Sequence, residues 1–332
     1  MSASASYSPL NTDLEKKNSL DLTDGIQTVG HDNEAVRGGL KKRIIDASCI
    51  GLNIASTVVL VFLNKWIFQD PQLKTMQISF AMWHFTCTAI VLYIASQSPF
   101  NLFVPVRLPF LQMVPLCSFF AGFLILGNLS LAYNSIGFYQ LAKIMTTPCV
   151  AALQYLFMKK AISFLTAAAL AAVCVGVALT NTGATGTSTL GASIAIAAFT
   201  VTAFYQVWIG KKMKDFSVSS PQLLLNQAPI SVLLLAFVAP FFDTMPDVKK
   251  IPTDTLVALF VSGITAAVLN LSQFLIIGRL SALTYNVSSN VKTIIILTYG
   301  WLSEGRILTV KDALGILLAL GGATMYSQVS QR

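Results

Sequence analysis

Charge is what this sequence has least of. Only 11% of its 332 residues are Asp, Glu, Lys or Arg, against about a quarter in soluble domains. With 55% hydrophobic residues and a mean hydropathy of +0.69, the chain reads as a polytopic membrane protein with little room for a soluble domain. Acidic residues are scarcest, 14 in all, and none lies near the middle of an apolar span. That absence removes the carboxylate relays used for proton or sodium coupling inside a membrane. It also removes the carboxylate or histidine cluster that a membrane enzyme would need, since there are only 2 histidines. The 5 cysteines (Cys49, Cys87, Cys117, Cys149, Cys174) all fall inside apolar spans. There they read as small packing residues, not as a disulfide framework or a metal site. No catalytic residue, metal or cofactor is expected.

The first 40 residues hold Ser, Asp, Asn and Lys. They lack the basic start, apolar core and small-residue cleavage site of a signal peptide, and their scattered acids are unlike a transit peptide. The expectation is a disordered cytosolic tail over 1–40. Ten apolar spans follow, at about 44–66, 76–97, 109–132, 136–157, 161–181, 188–210, 221–242, 254–278, 281–302 and 307–328, each long enough for a bilayer core of about 30 Å. An even number puts both termini on one side. Lys41, Lys42, Arg43, Arg107, Lys159, Lys160, Lys211, Lys212, Lys214 and Arg279 then fall on the terminal side, and the positive-inside rule makes that side cytosolic. The net charge of +8 therefore sits at span ends. It marks topology and contact with anionic lipid, not a nucleic-acid surface.

Two lysines belong to no loop. Lys292 lies in the middle of Ser281–Leu302, and Lys143 lies in Ile136–Phe157. A charge at that depth costs about 2.5–3.5 kcal/mol on insertion scales, and it commonly faces a water-filled cavity or a partner. Lys143 is the nearer of the two to a span end, where a lysine can also snorkel to the headgroups. Helical spacing puts Tyr139, Gln140 and Thr147 on the face of Lys143 and puts Tyr285, Ser288 and Ser289 on the face of Lys292, with Asn290 and Thr293 beside it. Asn226, Gln227 and Asn270 are further polar residues at depth that could join the site. Asn53 and His84 read as packing residues. Lysine offers a point charge to phosphate, the amides and hydroxyls offer hydrogen bonds to sugar or base, and the rings offer stacking surfaces. With no carboxylate to neutralise the lysines, an empty site is costly to reorient and a loaded one is not, which favours an exchanger of anions.

The two lysine spans also resemble each other. Each carries a small hydroxyl residue eight positions before the lysine (Ser135, Thr284) and a Tyr-Asn pair near its start (Tyr133-Asn134, Tyr285-Asn286). The fourth and ninth of ten spans run in opposite directions. The expected fold is therefore all-α, with ten transmembrane helices forming two five-helix inverted repeats, 41–182 and 183–329. Such repeats place a substrate at the midplane between them. Pro148 and Pro229 can kink their spans. Small residues of the fifth and tenth spans (Ala167, Ala168, Ala171, Ala172, Gly176; Gly315, Gly321, Gly322) allow close packing, within the protomer or in a homodimer.

The segments NKWIF from Asn64, LAYNSIGFYQLAK ending at Lys143, TTP from Thr146, QAP from Gln227 and NVKT from Asn290 resemble the nucleotide-sugar transporter/triose-phosphate translocator family of the drug/metabolite transporter superfamily. The resemblance runs from about Lys41 to Gln328. It implies antiport of a nucleotide sugar against a nucleoside monophosphate across Golgi or ER membranes, with Lys143 and Lys292 in the places of the ligand-phosphate lysines. The Lys292-Thr293 pair is similar to the UDP-sugar branch, where plastid phosphate translocators have Lys-Arg. SSNVK and NQAP depart from the corresponding GDP-mannose motifs. The expectation is a UDP-sugar exchanged for UMP. The alternative is a sugar-phosphate/phosphate exchanger. A membrane enzyme lacks its catalytic cluster, and a cation-drug exporter is opposed by two buried lysines.

Overall fold

The structure, a computed structural model, describes residues 41–134, 139, 142–180, 188–244, 246–303 and 309–330. Two units are distinguished, residues 1–48 and residues 49–332. Of the first, residues 41–48 are helical. Among the described residues there are ten α-helices: α1 Lys41–Ile67, α2 Gln77–Ser96, α3 Phe110–Tyr133, α4 Thr146–Met158, α5 Phe164–Thr180, α6 Thr189–Asp215, α7 Ser220–Phe242, α8 Thr253–Arg279, α9 Ala282–Ser303 and α10 Val310–Ser330. Six of them (α1, α2, α3, α6, α7 and α8) are long and apolar enough to cross a bilayer, and no strand occurs among the described residues. In hydrocarbon a helix satisfies its own backbone groups, which is why an apolar chain of this length resolves into helices and short links.

Side-chain placement is that of a protein solvated by lipid. Leu111, Phe237 and Leu317 are 82%, 75% and 68% exposed, while Asn53, Gln227 and Lys292 are 0%, 0% and 5% exposed. Polar groups point in and large apolar groups point out, the reverse of a water-soluble surface.

The helices pack in a definite pattern. α5 lies against α10, α3 against α6, α2 against α7 and α8, α4 against α6 and α9, and α3 against α7. The α5–α10 seam is close because glycines face it from both sides. A Cβ on Gly176 would stand 2.7 Å from the Gly315 carbonyl, and one on Gly322 would stand 2.8 Å from the Ala169 carbonyl. The small residues of these two helices are thus used within the chain.

The α2–α7 pair is tied at both ends. Met76 gives α2 no side-chain cap. Asp243, at the end of α7, supplies it instead by accepting from the Ile78 and Ser79 amides. At the other end the segment after α2 is held by α7. Asn226 Nδ2 donates to the Val106 carbonyl at 2.7 Å, Asn226 Oδ1 accepts from the Leu108 amide at 3.0 Å, and Gln222 Nε2 donates to the Val104 carbonyl at 2.7 Å. A carboxylate at a helix N-terminus also meets the positive end of the dipole.

The fourth span is where the expectation of one continuous helix over 136–157 fails. Residues 142–144 are helical, Met145 is a turn, and α4 begins at Thr146. Pro148 has no amide to offer the Ile144 carbonyl. The chain tightens instead, with the Met145 amide on the Ala142 carbonyl at 3.1 Å. Lys143 sits on the turn just before this break.

Candidate functional site

The site is built on α9. Ser281 starts the helix by accepting from the Thr284 amide at 3.0 Å. From there Leu283, Val287 and Ile294 are buried in apolar core, and Asn286, Ser288, Asn290 and Lys292 are buried with them. Lys292 stands at the midpoint of this 22-residue helix, about 15 Å from either end at 1.5 Å per residue.

Its ammonium is held by neutral groups. Lys292 Nζ donates to Asn53 Oδ1 at 2.7 Å and lies 5.0 Å from the centre of the Tyr285 ring. Asn53 is fixed in turn, its Nδ2 donating to Ser272 Oγ at 2.8 Å and to the Leu269 carbonyl at 3.3 Å. Tyr285 is fixed by its hydroxyl, which donates to Gln273 Oε1 at 3.2 Å. α1, α8 and α9 therefore converge on one positive charge without a carboxylate in the contact. An exposed ion pair, Lys250–Asp247 at 3.1 Å, lies in the short turn before α8.

Lys143 is placed differently. Its side chain is exposed and its Nζ stands 5.3 Å from the centre of the half-buried Tyr139 ring. Thr147, one turn along, accepts from Asn290 Nδ2 at 3.1 Å, joining α4 to α9. Gln140 lies outside the described residues. On the Lys292 side, Ser288 Oγ is buried with no hydrogen-bond partner among the described residues. Ser289 is half-buried and its carbonyl accepts from the Thr293 hydroxyl at 3.1 Å. An orphaned buried hydroxyl costs about 1–3 kcal/mol, so Ser288 marks a place where a polar ligand atom would be welcome.

The other three candidates have hydrogen bonds that lead elsewhere. Asn226 is taken up by the segment after α2, as above. Gln227 Nε2 donates to the Tyr205 hydroxyl at 2.9 Å, and Asn270 Nδ2 donates to Thr88 Oγ1 at 3.0 Å. Conversely, Asn53 stands at the lysine, and Ser272 and Gln273 hold the groups that touch it, although their spacing gives no sign of it. Asn53 and Lys292 are 239 positions apart. Gln206, on α6, accepts from Asn286 of α9 in the same way. What could have pointed to Asn53 is that an amide in the middle of an apolar span needs a partner.

Chemically, the arrangement offers two cations with no carboxylate partner among the described residues, two aromatic faces and a hydroxyl with no partner among them, which suits an anion with a planar or hydroxylated part. The triose-phosphate transporter family matches residues 49–327. The chain is 29% identical over 296 residues to UDP-rhamnose/UDP-galactose transporter 2 of Arabidopsis thaliana, covering 86% of this chain and 83% of that one. It is 30% identical over 285 residues to UDP-xylose transporter 1 of the same plant, covering 83% and 81%. It is 26% identical over 285 residues to its GDP-mannose transporter GONST5, covering 82% of each. A solved crystal structure matches 85% of this chain and 99% of its own with a TM-score of 0.65 at 14% identity, a likeness of fold alone.

Proposed function

The chain belongs to the triose-phosphate transporter family, a family of transporters rather than enzymes, and from that premise we propose that it exchanges a nucleotide sugar for a nucleoside monophosphate. The reading takes a UDP-sugar and UMP as the pair and a Golgi or ER membrane as the place, with both termini cytosolic. The observation that carries it is Lys292. It is a lysine at the midpoint of the 22-residue α9, 5% exposed, and its contacts among the described residues are a neutral amide oxygen and a ring. A phosphate entering beside it would neutralise a charge that nothing in its present contacts neutralises. Lys143, Tyr139, Tyr285, Ser288, Ser289, Asn290 and Thr293 would supply the second cation, the stacking faces and the sugar contacts. The UDP-sugar relatives support the nucleotide, and Thr293 beside Lys292 leaves a single charge there where a phosphate translocator has two.

The reading includes two halves related by inverted repetition, 41–182 and 183–329. The pattern of contacts supports it. Exchanging each helix with the one five places on maps α2–α7, α5–α10 and α4–α9 onto themselves. It also exchanges α2–α8 with α3–α7. The α4–α6 contact has its counterpart in the Asn53–Lys292 bond between α1 and α9. A site shared by α4 and α9 would lie on that axis.

The test is uptake by the reconstituted protein from a panel of UDP-, GDP- and CMP-sugars and triose phosphate into vesicles preloaded with UMP. UDP-sugar uptake that needs internal UMP is expected. Uptake of triose phosphate against inorganic phosphate, indifferent to UMP, would replace this reading with the sugar-phosphate exchanger.

A further inference from the structure

Asn53 does something at Lys292 that a packing residue does not. It is fully buried on α1, and both functional ends of its amide are engaged. The nitrogen side is anchored to α8 through Ser272 Oγ and the Leu269 carbonyl. Ser272 Oγ is itself held by the Leu269 carbonyl at 2.8 Å. This anchoring fixes which end of the amide faces Lys292: the oxygen must point at the ammonium, because the NH2 end is already committed to two acceptors. The 2.7 Å contact is at the short end for a charged donor and a neutral acceptor.

An amide oxygen carries a partial negative charge and no net charge. It satisfies the hydrogen-bonding of the ammonium and leaves its charge in place. That is the position a phosphate oxygen would occupy with the charge included. We propose that Asn53 is a placeholder for the anionic ligand. It is a positioning residue that holds Lys292 in the empty carrier and hands the ammonium over when phosphate arrives. Because the hold is neutral, the empty carrier keeps a buried charge and does not reorient, and coupling of influx to efflux follows. A residue that neutralised Lys292 would loosen the coupling. The proposal rests on the reading of Lys292 as an anion contact.

Asn53→Asp is the decisive variant, because it keeps the shape and adds the missing charge. The probe is labelled UMP, taken up by vesicles that are either empty or preloaded with unlabelled UMP. Wild type should fill only the preloaded vesicles. Asn53→Asp should raise the KM for UMP about tenfold, since the ligand must now displace a carboxylate. It should also lower the ratio of preloaded to empty uptake at least about fivefold, since the neutralised empty carrier can return alone. Asn53→Ala, which removes the hold without adding charge, should keep the wild-type ratio and lower the KM for UMP about tenfold, since the ligand no longer displaces the amide oxygen. Thermal unfolding in detergent should show all variants folded.

A wild-type ratio and KM in Asn53→Asp overturns the placeholder. So does an equal loss in Asn53→Asp and Asn53→Ala, which would make the amide a structural tie. Lys292→Ala in the same assay separates the premises. If it exchanges UMP normally, the anion-contact reading has failed, and the placeholder with it. If it is inactive while Asn53→Asp behaves as wild type, only the placeholder has failed. Should wild type not exchange UMP, the same ratio read with labelled inorganic phosphate applies the same criteria.

Discussion

The two lysines invite comparison, because their surroundings differ in almost every respect. Lys292 is 5% exposed in an uninterrupted helix and is fixed by contacts with α1 and a ring of its own helix. Lys143 is exposed, stands over one half-buried ring, and precedes a break that Pro148 imposes on the fourth span. One element offers a fixed cation and the other offers a cation beside a helix break, which the proposed carrier would use as a hinge. A carrier has use for both. On the reading proposed above, the fixed charge would set where the phosphate rests, and the hinged one would follow it as the site changes sides. Asn290 Nδ2 donates to Thr147 Oγ1 at 3.1 Å and joins the two elements.

The largest test of this contrast is Lys292→Ala. It removes the ligand contact and leaves Asn53 Oδ1 without its donor. UMP exchange should fall about 100-fold or more, the equivalent of one charged hydrogen bond of up to ~3 kcal/mol. Elution as a folded monodisperse protein would assign the loss to the site. Lys143→Ala should cost less, about tenfold in KM, because an exposed charge is screened. An equal or larger loss there would reverse the ranking of the two stations.

Pro148→Ala sharpens the comparison by making the fourth span more like α9. It gives the Ile144 carbonyl an amide partner. Thermal stability should rise by about 0.5–1.5 kcal/mol, while the exchange rate should fall about threefold as the hinge stiffens. A faster variant would mean that the break has no part in the cycle. Thr147→Val is the smallest. It removes the acceptor for Asn290 Nδ2 at nearly constant volume and should cost about 1 kcal/mol of stability with less than about a twofold change in KM.

These residues also indicate what could be read from the chain alone. The helices were legible because hydropathy and length decide membrane spans, and α2, α3, α7, α8 and α9 begin and end within a few residues of their expected bounds. Lys292 and Lys143 were legible because a charge in an apolar run stands out. Tyr285, Ser288 and Asn290 followed from helical spacing, and Tyr285 does lie against the Lys292 ammonium. Asn53 was read as a packing residue, because its role depends on a neighbour 239 positions away and on which way an amide is turned. Asn226 was read as a ligand contact, yet its amide is taken by the segment after α2. The same kind of side chain serves as a clamp in one helix and a charge holder in another, and only tertiary contact separates them. The break at Met145 was half legible: Pro148 announced a kink, but not that the chain would tighten just before Thr146.

The most direct test of the account is a double-mutant cycle on Lys143→Ala and Lys292→Ala, read as UMP affinity in the purified protein. If both ammonium groups hold one phosphate, removing either weakens what the other can do. The double variant should then lose less than the product of the single losses, with a coupling of about 0.5 kcal/mol or more. Losses that simply multiply, or single variants that bind UMP as wild type does, would mean that the two lysines do not share a ligand.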